Sequence, residues 1–599
     1  MQEKIRDYYK ANQIKCEEEI KKFDRKINFY SFMRLLVLAG GIIVFYQFFK
    51  LDFLLLSFLA VFVFILAFGW LVSEQNKFQK RLTYFKHLGT VNLNELNSLD
   101  RKFDLYPDGS EYKDDLHPYA SDLDIFGKGS LFGMLNRCST VLGNSKLAEW
   151  LKMPGSVSDI RGRQNIITEL DSKVSLKLHF QAVLLFSNTP SEDKVRELFR
   201  YLKFEPDEPR FWIRKYTELI PWLFLIAAVG SWFVPFLSIF LFGFIVINLT
   251  LTQKFSSRIA KTDSMIGEMG NILNHFSDAI AAIRDENWES PLARNLSADF
   301  KDNRSGNLSE EVKRFSLLIN HLTFGQTGVG AILNAVMLWN IRQVFAIEEW
   351  KKANHDKLKQ AFDVIASFEV LISLGSLKTN YPQWCFADIV EGGKYTLIAH
   401  EIGHPLIPSL TRVNNDYSLN NESKIDIVTG SNMAGKSTFL RTLGINTVLA
   451  LSGAPSCAGK LKVSRMLVFT YMRIRDSLNE STSTFKAELD RLQALLKILD
   501  SSEKVYFLID EMLRGTNSVD KYLGSRAVIE KLIAKKAVGV VATHDLQLAD
   551  LKQEYPDYIR NHYFDIQVEG EEMHFDYKLK PGECKTFNAS LLLKRIGIY

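Results

Sequence analysis

At 599 residues the chain is too long for a single hydrophobic core, so we expect several domains. Its hydrophobic share of 47% is ordinary for a globular protein, and its formal net charge of +5 excludes a strongly basic nucleic-acid scaffold, although a local basic face would still bind phosphates. The cysteines are far apart and form no CxxC pair, which argues against a zinc site and against a secreted disulfide framework. They are Cys16, Cys138, Cys385, Cys457 and Cys584.

Two apolar runs follow a charged N-terminal stretch. Residues 1–30 are predicted to form a polar cytosolic helix, and residues 31–73 hold two apolar runs separated at Lys50 and Asp52. Each run is near the length that crosses a bilayer as a helix, so the pair is predicted to be a transmembrane hairpin, followed by a linker over 74–118. By the positive-inside rule, basic flanking residues keep both ends of the hairpin in the cytoplasm. These residues are Lys21, Lys22, Arg25, Lys26, Lys77, Lys80, Arg81 and Lys86.

A second apolar block, residues 211–252, is predicted to be another hairpin, either transmembrane or re-entrant. As one straight helix its apolar core would be about 50 Å long, which exceeds the hydrocarbon thickness, and Gly230 and Pro235 offer a turn. A buried helical core is the alternative for both blocks, but helices that are apolar all round are unfavourable in water. The flanking regions are predicted to be helical: a core over 119–210 and lever helices over 253–380.

The pattern changes at residue 381. From there to residue 599, short β-rich runs such as YTLIA, KIDIVT, KVYFLID and AVGVVAT alternate with helical segments. This alternation is typical of a parallel sheet with crossover helices. The last part of the chain is therefore predicted to be an α/β domain.

The segment KIDIVTGSNMAGKSTFLRTLG has the order strand, G-x-x-x-x-G-K-S, helix. Gly430 and Gly435 permit a backbone geometry that turns several N–H groups toward a phosphate, and the following helix adds the positive end of its dipole. Lys436 is expected to reach the β- and γ-phosphates, and the Ser437 hydroxyl is the expected Mg²⁺ ligand. The sequence therefore predicts a site for ATP and Mg²⁺. Its nucleotide-binding residues would be Gly430, Ser431, Asn432, Met433, Ala434, Gly435, Lys436, Ser437 and Thr438.

Two later strands end in residues that complete such a site. VYFLIDE delivers Asp510 and Glu511 to the carboxyl edge of the sheet, where Asp510 would hold the Mg²⁺ shell and Glu511 would orient or deprotonate the attacking water. VVATHD places His544 where it can hydrogen-bond the γ-phosphate or that water. An acidic pair or a histidine after a strand is commonplace by itself, but the upstream loop favours a functional interpretation. The predicted catalytic residues are thus Lys436, Glu511 and His544, and the predicted metal ligands are Ser437 and Asp510.

These motifs together resemble the MutS family of DNA mismatch-repair ATPases, which are relatives of the ABC ATPases. The similar segments are TGSNMAGKSTFLRT, STSTFKAE (481–488), DEMLRGTNSVD (510–520) and ATHD, with weaker similarity over 129–170 and 361–374. The resemblance implies a multidomain protein with a C-terminal α/β P-loop ATPase domain of ABC type over 381–599, preceded by an all-α core and lever that carries the two hairpins. It also implies a homodimer in which Ser483 approaches the γ-phosphate held by the partner subunit.

The chain departs from the family pattern in several places. We find no counterpart of the family's N-terminal mismatch-reading domain with its Phe-x-Glu wedge, and the second hairpin falls near the place where the family inserts its DNA clamp. Ala434 replaces a glycine that is common in the family, a small change that should not abolish nucleotide binding. Met512 and Leu513 alter the stretch just after Glu511.

Two functions from different classes fit these features. The first is a membrane-anchored MutS-like ATPase that binds mismatched, damaged or branched DNA in repair or recombination. It would be a multi-pass protein of the cell inner membrane with a cytoplasmic ATPase domain. The alternative is a membrane ATPase machine without DNA binding, which uses ATP-driven dimer closure to act on a membrane or protein partner. An inactive scaffold is disfavoured because every catalytic position holds a competent residue.

Overall fold

The computed structural model describes residues 2–185, 192–204, 210–301, 308–431, 434–472, 484–501, 504–514, 517–565, 567–569 and 572–584. A long helical region comes first and a mixed α/β region follows. The helices of the first region are α1 (Gln2–Lys50), α2 (Leu54–Leu99), α3 (Leu131–Leu135), α4 (Val141–Lys152), α5 (Val157–Ser172), α6 (Val174–Leu184), α7 (Glu192–Lys203), α8 (Phe211–Gly230), α9 (Leu237–Ile266), α10 (Met269–Arg284), α11 (Pro291–Lys301), α12 (Leu308–Phe324), α13 (Gly328–Met337) and α14 (Trp339–Asn380).

Helices α1 and α2 form an antiparallel hairpin that we call the helical arm. The two helices have 49 and 46 residues, so the arm is about 70 Å long at 1.5 Å per residue. Its outer half exposes apolar side chains, among them Ile42, Phe58 and Trp70. Residues 74–99 were expected to be a linker, but they continue α2 because Val91 and neighbouring apolar residues pack against α1 and α6. Tertiary burial thus extends the helix beyond its apolar run.

The second apolar block is a hairpin of α8 and α9 with exposed aromatic residues at its turn. Trp232 and Phe233 are both 82% exposed there. The short apolar helix α13, which the sequence assigned to the lever, packs against both α8 and α9. The fully buried Asn248 joins these elements: its side chain accepts from the Tyr216 hydroxyl and donates to the carbonyls of Ala335 and Val336 at the end of α13.

Among the described residues, four helices are long and apolar enough to cross a membrane, judged by length and composition alone: α1, α2, α9 and α14. The apolar window of α14 is 89% buried inside the protein, whereas the corresponding windows of α1, α2 and α9 are at most 11% buried. Helix α14 is therefore a central helix of the protein core. The other three leave their apolar surfaces uncovered by protein.

A buried polar network ties the base of the arm to the end of α14. Glu95 on α2 and Arg137 form a bidentate ion pair with Nε–Oε1 and Nη2–Oε2 distances of 2.8 and 3.1 Å. Asn380 donates to Glu95 at 2.7 Å, and its side-chain carbonyl accepts from the Tyr9 hydroxyl at 3.0 Å. Burial opposes the charge of Glu95, but Arg137 and Asn380 outweigh it and lower the pKa of this carboxyl.

Glu369 on α14 is a buried carboxyl that stabilises the start of α4. It accepts from the backbone N–H groups of Ser139 and Thr140, at 2.8 and 3.0 Å, and from the Thr140 hydroxyl. Thr140 is itself the N-cap of α4, so the carboxyl lies at the positive end of that helix. Burial nevertheless dominates and raises the pKa of Glu369 to about 7.

This raised pKa predicts a pH-dependent stability. The folded state holds the Glu369 proton more tightly than the unfolded chain, so the contribution is complete below the unfolded pKa of about 4.3 and is lost as the pH rises through about 7. We expect thermal stability to fall over this range and the fall to be smaller in Glu369→Gln. Parallel pH profiles of the two proteins would contradict the assignment, and Asp363→Asn, which changes an exposed acid on the same helix, is the control.

The α/β region contains two main sheets. Its strands are β1 (Asp388–Val390), β2 (Tyr395–Ile402), β3 (Asn415–Glu422), β4 (Ile425–Thr429), β5 (Lys460–Ser464), β6 (Leu467–Tyr471), β7 (Val505–Asp510), β8 (Val538–Thr543), β9 (Ile559–Phe564), β10 (Gln567–Glu569), β11 (Glu572–His574) and β12 (Leu579–Pro581). Its helices are α15 (Lys436–Ser452), α16 (Thr484–Ile498), α17 (Ser518–Ala534) and α18 (Leu551–Glu554).

The larger sheet has the order β12-β9-β4-β8-β7-β6, in which β9, β4, β8, β7 and β6 are parallel. Strands β4, β7 and β8 are fully buried, which explains their unbroken apolar character. In the register, Thr429 pairs with Thr543 and Asp510 pairs with Ala542. The loops that follow β4, β7 and β8 therefore emerge side by side at one edge. The smaller sheet has the order β1-β5-β2-β3, and it contacts the larger sheet where the Tyr417 hydroxyl of β3 donates to the Asp426 carboxylate of β4.

Candidate functional site

The loop between β4 and α15 begins and ends at glycines whose conformation other residues rarely adopt. Gly430 has φ 142° and Gly435 has φ 101°. A Cβ atom at Gly430 would lie 2.7 Å from the carbonyl oxygen of Phe564, so a side chain has no room there. Helix α15 starts at Lys436, directly after Gly435. Asn432 and Met433 lie outside the described residues.

Lys436 reaches back across this loop. Its Nζ donates to the carbonyls of Gly430 and Ser431, at 2.7 and 2.8 Å. Burial lowers the pKa of this ammonium group, and the nearby carboxylates Glu511 and Asp510 oppose that shift. A cation is thus held over the loop at the N-terminal end of α15, which is an arrangement suited to an anion.

Ser437, in the first turn of α15, and Asp510, the last residue of β7, meet at the edge of the larger sheet. The Ser437 side chain is hydrogen-bonded to the Asp510 carboxyl, which is largely buried. Burial raises the pKa of Asp510, and the bond to Ser437 and the charge of Arg514 oppose this shift. A hydroxyl and a carboxyl oxygen in contact are ligands of the kind that Mg²⁺ takes alongside phosphate and water. The described residues contain no cluster of three or more His, Cys, Asp or Glu that could hold a metal by itself.

Glu511 is held in an unusual backbone conformation. Its φ is 56°, a left-handed value that is rare for glutamate, and its N–H donates to the Ala542 carbonyl at 3.0 Å. This geometry turns the side chain toward His544, whose Nδ1 lies 3.2 Å from Oε1, and toward Arg514, whose Nε lies 3.4 Å from Oε2. Burial raises the pKa of the carboxyl, but Arg514 and His544 outweigh burial and the net pKa is lowered. The group is therefore ionised at neutral pH and can accept a proton.

Arg514 is a member of this site to which the sequence assigned no role beyond its place in the resemblance. Its Nη2 donates to the Asp510 carbonyl at 3.1 Å, and its backbone N–H donates to Oε1 of the buried Glu488 at 3.3 Å. Arg514 thus links the end of β7 to helix α16, which begins just after Ser483. The sequence feature that could have indicated this role is the position of Arg514 three residues after Glu511. Ser483 lies outside the described residues.

A pocket of about 540 Å³ opens beside the loop and α15. Part of the pocket wall comes from α15, and the rest comes from segments that are distant in the sequence. The sequence analysis did not predict that these distant segments line the pocket. Burial and the charge of Arg441 lower the pKa of His404 in this wall to about 4, so its imidazole is neutral at physiological pH. The lining residues include Ile402, His404, Ile407, Asn415, Gly435, Ser437, Thr438, Phe439, Phe564 and Tyr577.

Most of the predicted site residues come together at one edge of the larger sheet. Gly430, Lys436 and Ser437 follow β4. Asp510 ends β7 and Glu511 follows it, and His544 follows β8. His544 also lies beside α17, with Nε2 3.4 Å from Nζ of Lys521. Ser431, Ala434 and Thr438 belong to the same loop and helix start. The catalytic and binding roles of these residues remain predictions.

Residues 426–590 match the family profile of MutS domain V. These residues form a domain of the MutS domain V family. Similar curated proteins are the DNA mismatch repair protein MutS of Thermotoga sp. (strain RQ2), 32% identical over 260 residues, and that of Aquifex pyrophilus, 31% identical over 235 residues. These alignments cover 42% and 38% of this chain and 31% and 27% of the relatives. The chain thus spans less than a third of the length of these MutS proteins, and the similarity to them lies in the domain that holds the site.

Proposed function

We propose that this protein is a membrane-anchored MutS-like ATPase that binds ATP with Mg²⁺ at residues 430–438 and hydrolyses it. The observation that carries the proposal is the convergence of Lys436, Ser437, Asp510 and Glu511 on one edge of the sheet. A lysine over a glycine loop, a hydroxyl paired with a carboxyl and a second, ionised carboxylate are the groups that phosphoryl transfer to water requires.

Each group has a defined task in the proposed reaction. Lys436 would leave the loop carbonyls and neutralise the β- and γ-phosphate oxygens, while Ser437 and Asp510 would hold Mg²⁺. When bound, the ion supplies charge neutralisation to the phosphate oxygens. Glu511 orients the attacking water and accepts its proton, and His544 fixes the position of that carboxylate. The pocket of about 540 Å³ beside Thr438 and Tyr577 provides room for the base and ribose.

The proposed enzyme works as a head-to-tail homodimer, in which Ser483 of each subunit completes the site of the other. ATP binding closes the pair and hydrolysis releases it. This follows from the similarity of STSTFKAE to the MutS signature segment rather than from any contact in the structure.

The proposed membrane anchor consists of the helical arm and the α8–α9 hairpin. The apolar windows of α1, α2 and α9 are at most 11% buried. Soluble monomers rarely leave large contiguous apolar patches in contact with water. The protein would be a multi-pass protein of the cell inner membrane with residues 381–599 in the cytoplasm. We expect the full chain to float with liposomes after an alkaline carbonate wash. A peripheral protein is released under those conditions, so loss of the chain from the liposome fraction would contradict the anchor.

DNA is the proposed substrate on which the ATPase acts, because the similar curated proteins are named DNA mismatch repair proteins. Mismatched, damaged or branched DNA is proposed. The exposed apolar hairpins favour a second candidate, a membrane ATPase machine without DNA binding that acts on a membrane or protein partner.

DNA binding by the full chain in lipid nanodiscs separates the two candidates. Homoduplex, mismatched and four-way-branched DNA are titrated with and without a non-hydrolysable ATP analogue at two salt concentrations, since phosphate contacts weaken steeply with salt. Nucleotide-dependent preference for one DNA form supports the first candidate, and Lys436→Ala should abolish that dependence. ATP hydrolysis without DNA binding at moderate salt would favour the membrane machine.

A further inference from the structure

We propose that Arg101 couples the helical arm to the nucleotide pocket, so that nucleotide binding and the position of the arm influence each other. The inference rests on the proposed ATP site. Arg101 would be a positioning residue, because it touches the wall of the pocket and not the nucleotide.

The end of the arm is held in a defined geometry. Helix α2 ends at Leu99, and Asp100 at its C-cap forms an ion pair with Arg6 of α1 at 2.6 Å. Arg101 follows with φ 63°, a left-handed value that is uncommon for arginine. The chain therefore turns sharply at the base of the arm, where the Arg6–Asp100 ion pair connects α1 and α2. This turn directs the Arg101 guanidinium toward the α/β domain.

The guanidinium binds the backbone of the pocket wall. Its Nη2 donates to the Pro405 carbonyl at 3.0 Å and its Nη1 to the Ile407 carbonyl at 3.3 Å. Ile407 and Ser437 both line the pocket. Within the described residues, the hydrogen-bond acceptors of Arg101 are these two carbonyls, so its placement depends on the planar fork of the guanidinium rather than on an opposite charge.

The same wall is anchored to α15 on its other side. Asn446, which is fully buried on α15, donates to the Gly403 carbonyl at 2.9 Å. His404 Nδ1 accepts from the Leu406 N–H at 3.2 Å and closes the turn between these residues. Residues 403–407 thus lie between the helix that begins at the phosphate loop and the end of the arm. A shift at either side changes the width of the pocket.

The arm can carry such a shift because it is continuous. Helix α2 runs without a break from its exposed apolar half to Leu99. At its base, the hydrogen bonds among Tyr9, Asn380 and Glu95 hold the arm to α14. Coupling between two sites is reciprocal. If the position of the arm changes the free energy of nucleotide binding, nucleotide binding must change the free energy of that arm position by the same amount.

The test uses the full chain in lipid nanodiscs, a fluorescent ATP analogue and steady-state ATP hydrolysis. We expect Arg101→Ala to weaken binding of the analogue and to raise KM about tenfold, with kcat unchanged. The affinity and KM of Arg101→Lys should lie between those of Arg101→Ala and the wild type. Arg163→Ala is the matched control. It removes a similarly half-buried arginine that donates to the Ser452 carbonyl at the far end of α15. An equal loss in the control, or a fall in kcat alone, would overturn the proposal.

Hydrogen exchange tests reciprocity. A non-hydrolysable ATP analogue should slow exchange at residues 403–408 and also at residues 96–103 in the wild type, and only at 403–408 in Arg101→Ala. Protection at 96–103 that persists in the variant would also overturn the coupling. If the wild type does not bind the analogue at all, the proposed ATP site itself is wrong. Binding that is identical in wild type and Arg101→Ala refutes the coupling alone.

Discussion

Glu511→Gln is expected to slow ATP hydrolysis by about 10²–10⁴-fold while ATP binding is retained. Glutamine has nearly the same shape as glutamate, so the backbone bond to Ala542 and the left-handed turn at residue 511 should persist. The amide cannot accept the proton of the attacking water. It also loses the charge that lies 3.2 Å from His544 and 3.4 Å from Arg514.

Two measurements are needed to interpret this variant. Phosphate release gives the hydrolysis rate, and equilibrium binding of a fluorescent ATP analogue gives the affinity. Glu554→Gln, which neutralises a surface acid paired with Arg526, should match the wild type in both. Unchanged turnover in Glu511→Gln would remove this residue from its proposed role, and a loss of binding would assign it to nucleotide recognition instead.

Arg137→Met is expected to destabilise the folded protein by about 3–5 kcal/mol, because it leaves the Glu95 carboxylate buried without its partner. The two side chains are only 4% and 1% exposed, so water cannot replace the lost ion pair. The network also holds Asn380 and Tyr9, and its loss should loosen the joint between the arm and α14.

Thermal unfolding of the detergent-solubilised chain, followed by tryptophan fluorescence, measures this effect. The double variant Glu95→Gln with Arg137→Met should recover part of the loss, because the unpaired charge is then gone. Arg6→Ala breaks an exposed ion pair with Asp100 and should cost no more than about 1 kcal/mol. A loss from Arg137→Met as small as that from Arg6→Ala would show that the Glu95–Arg137 pair contributes little.

Local patterns in the sequence were enough to single out the glycine loop, the acidic pair and the histidine, and their roles stay predictions. Each depends on a short segment with its own physical requirement. Gly430 and Gly435 meet a backbone requirement, and buried strands end at Asp510 and Thr543. Because the carboxyl ends of parallel strands lie at the same edge of a sheet, these segments meet there irrespective of how the connecting helices pack. The apolar runs of the two hairpins were likewise visible, because hydropathy is a property of the local composition.

Only the tertiary structure decided which distant residues meet. The pocket wall joins His404 to Tyr577, and the bond of Arg101 to Pro405 spans about 300 residues. Helix α2 continues through residues 74–99 because Val91 and its neighbours are buried by other helices, and the apolar stretch of α14 is a core helix for the same reason. The sequence alone determined the chemistry that each segment can perform. Burial and contact, which depend on the whole chain, decided where the segments lie and what Glu369, Arg101 and Arg514 touch.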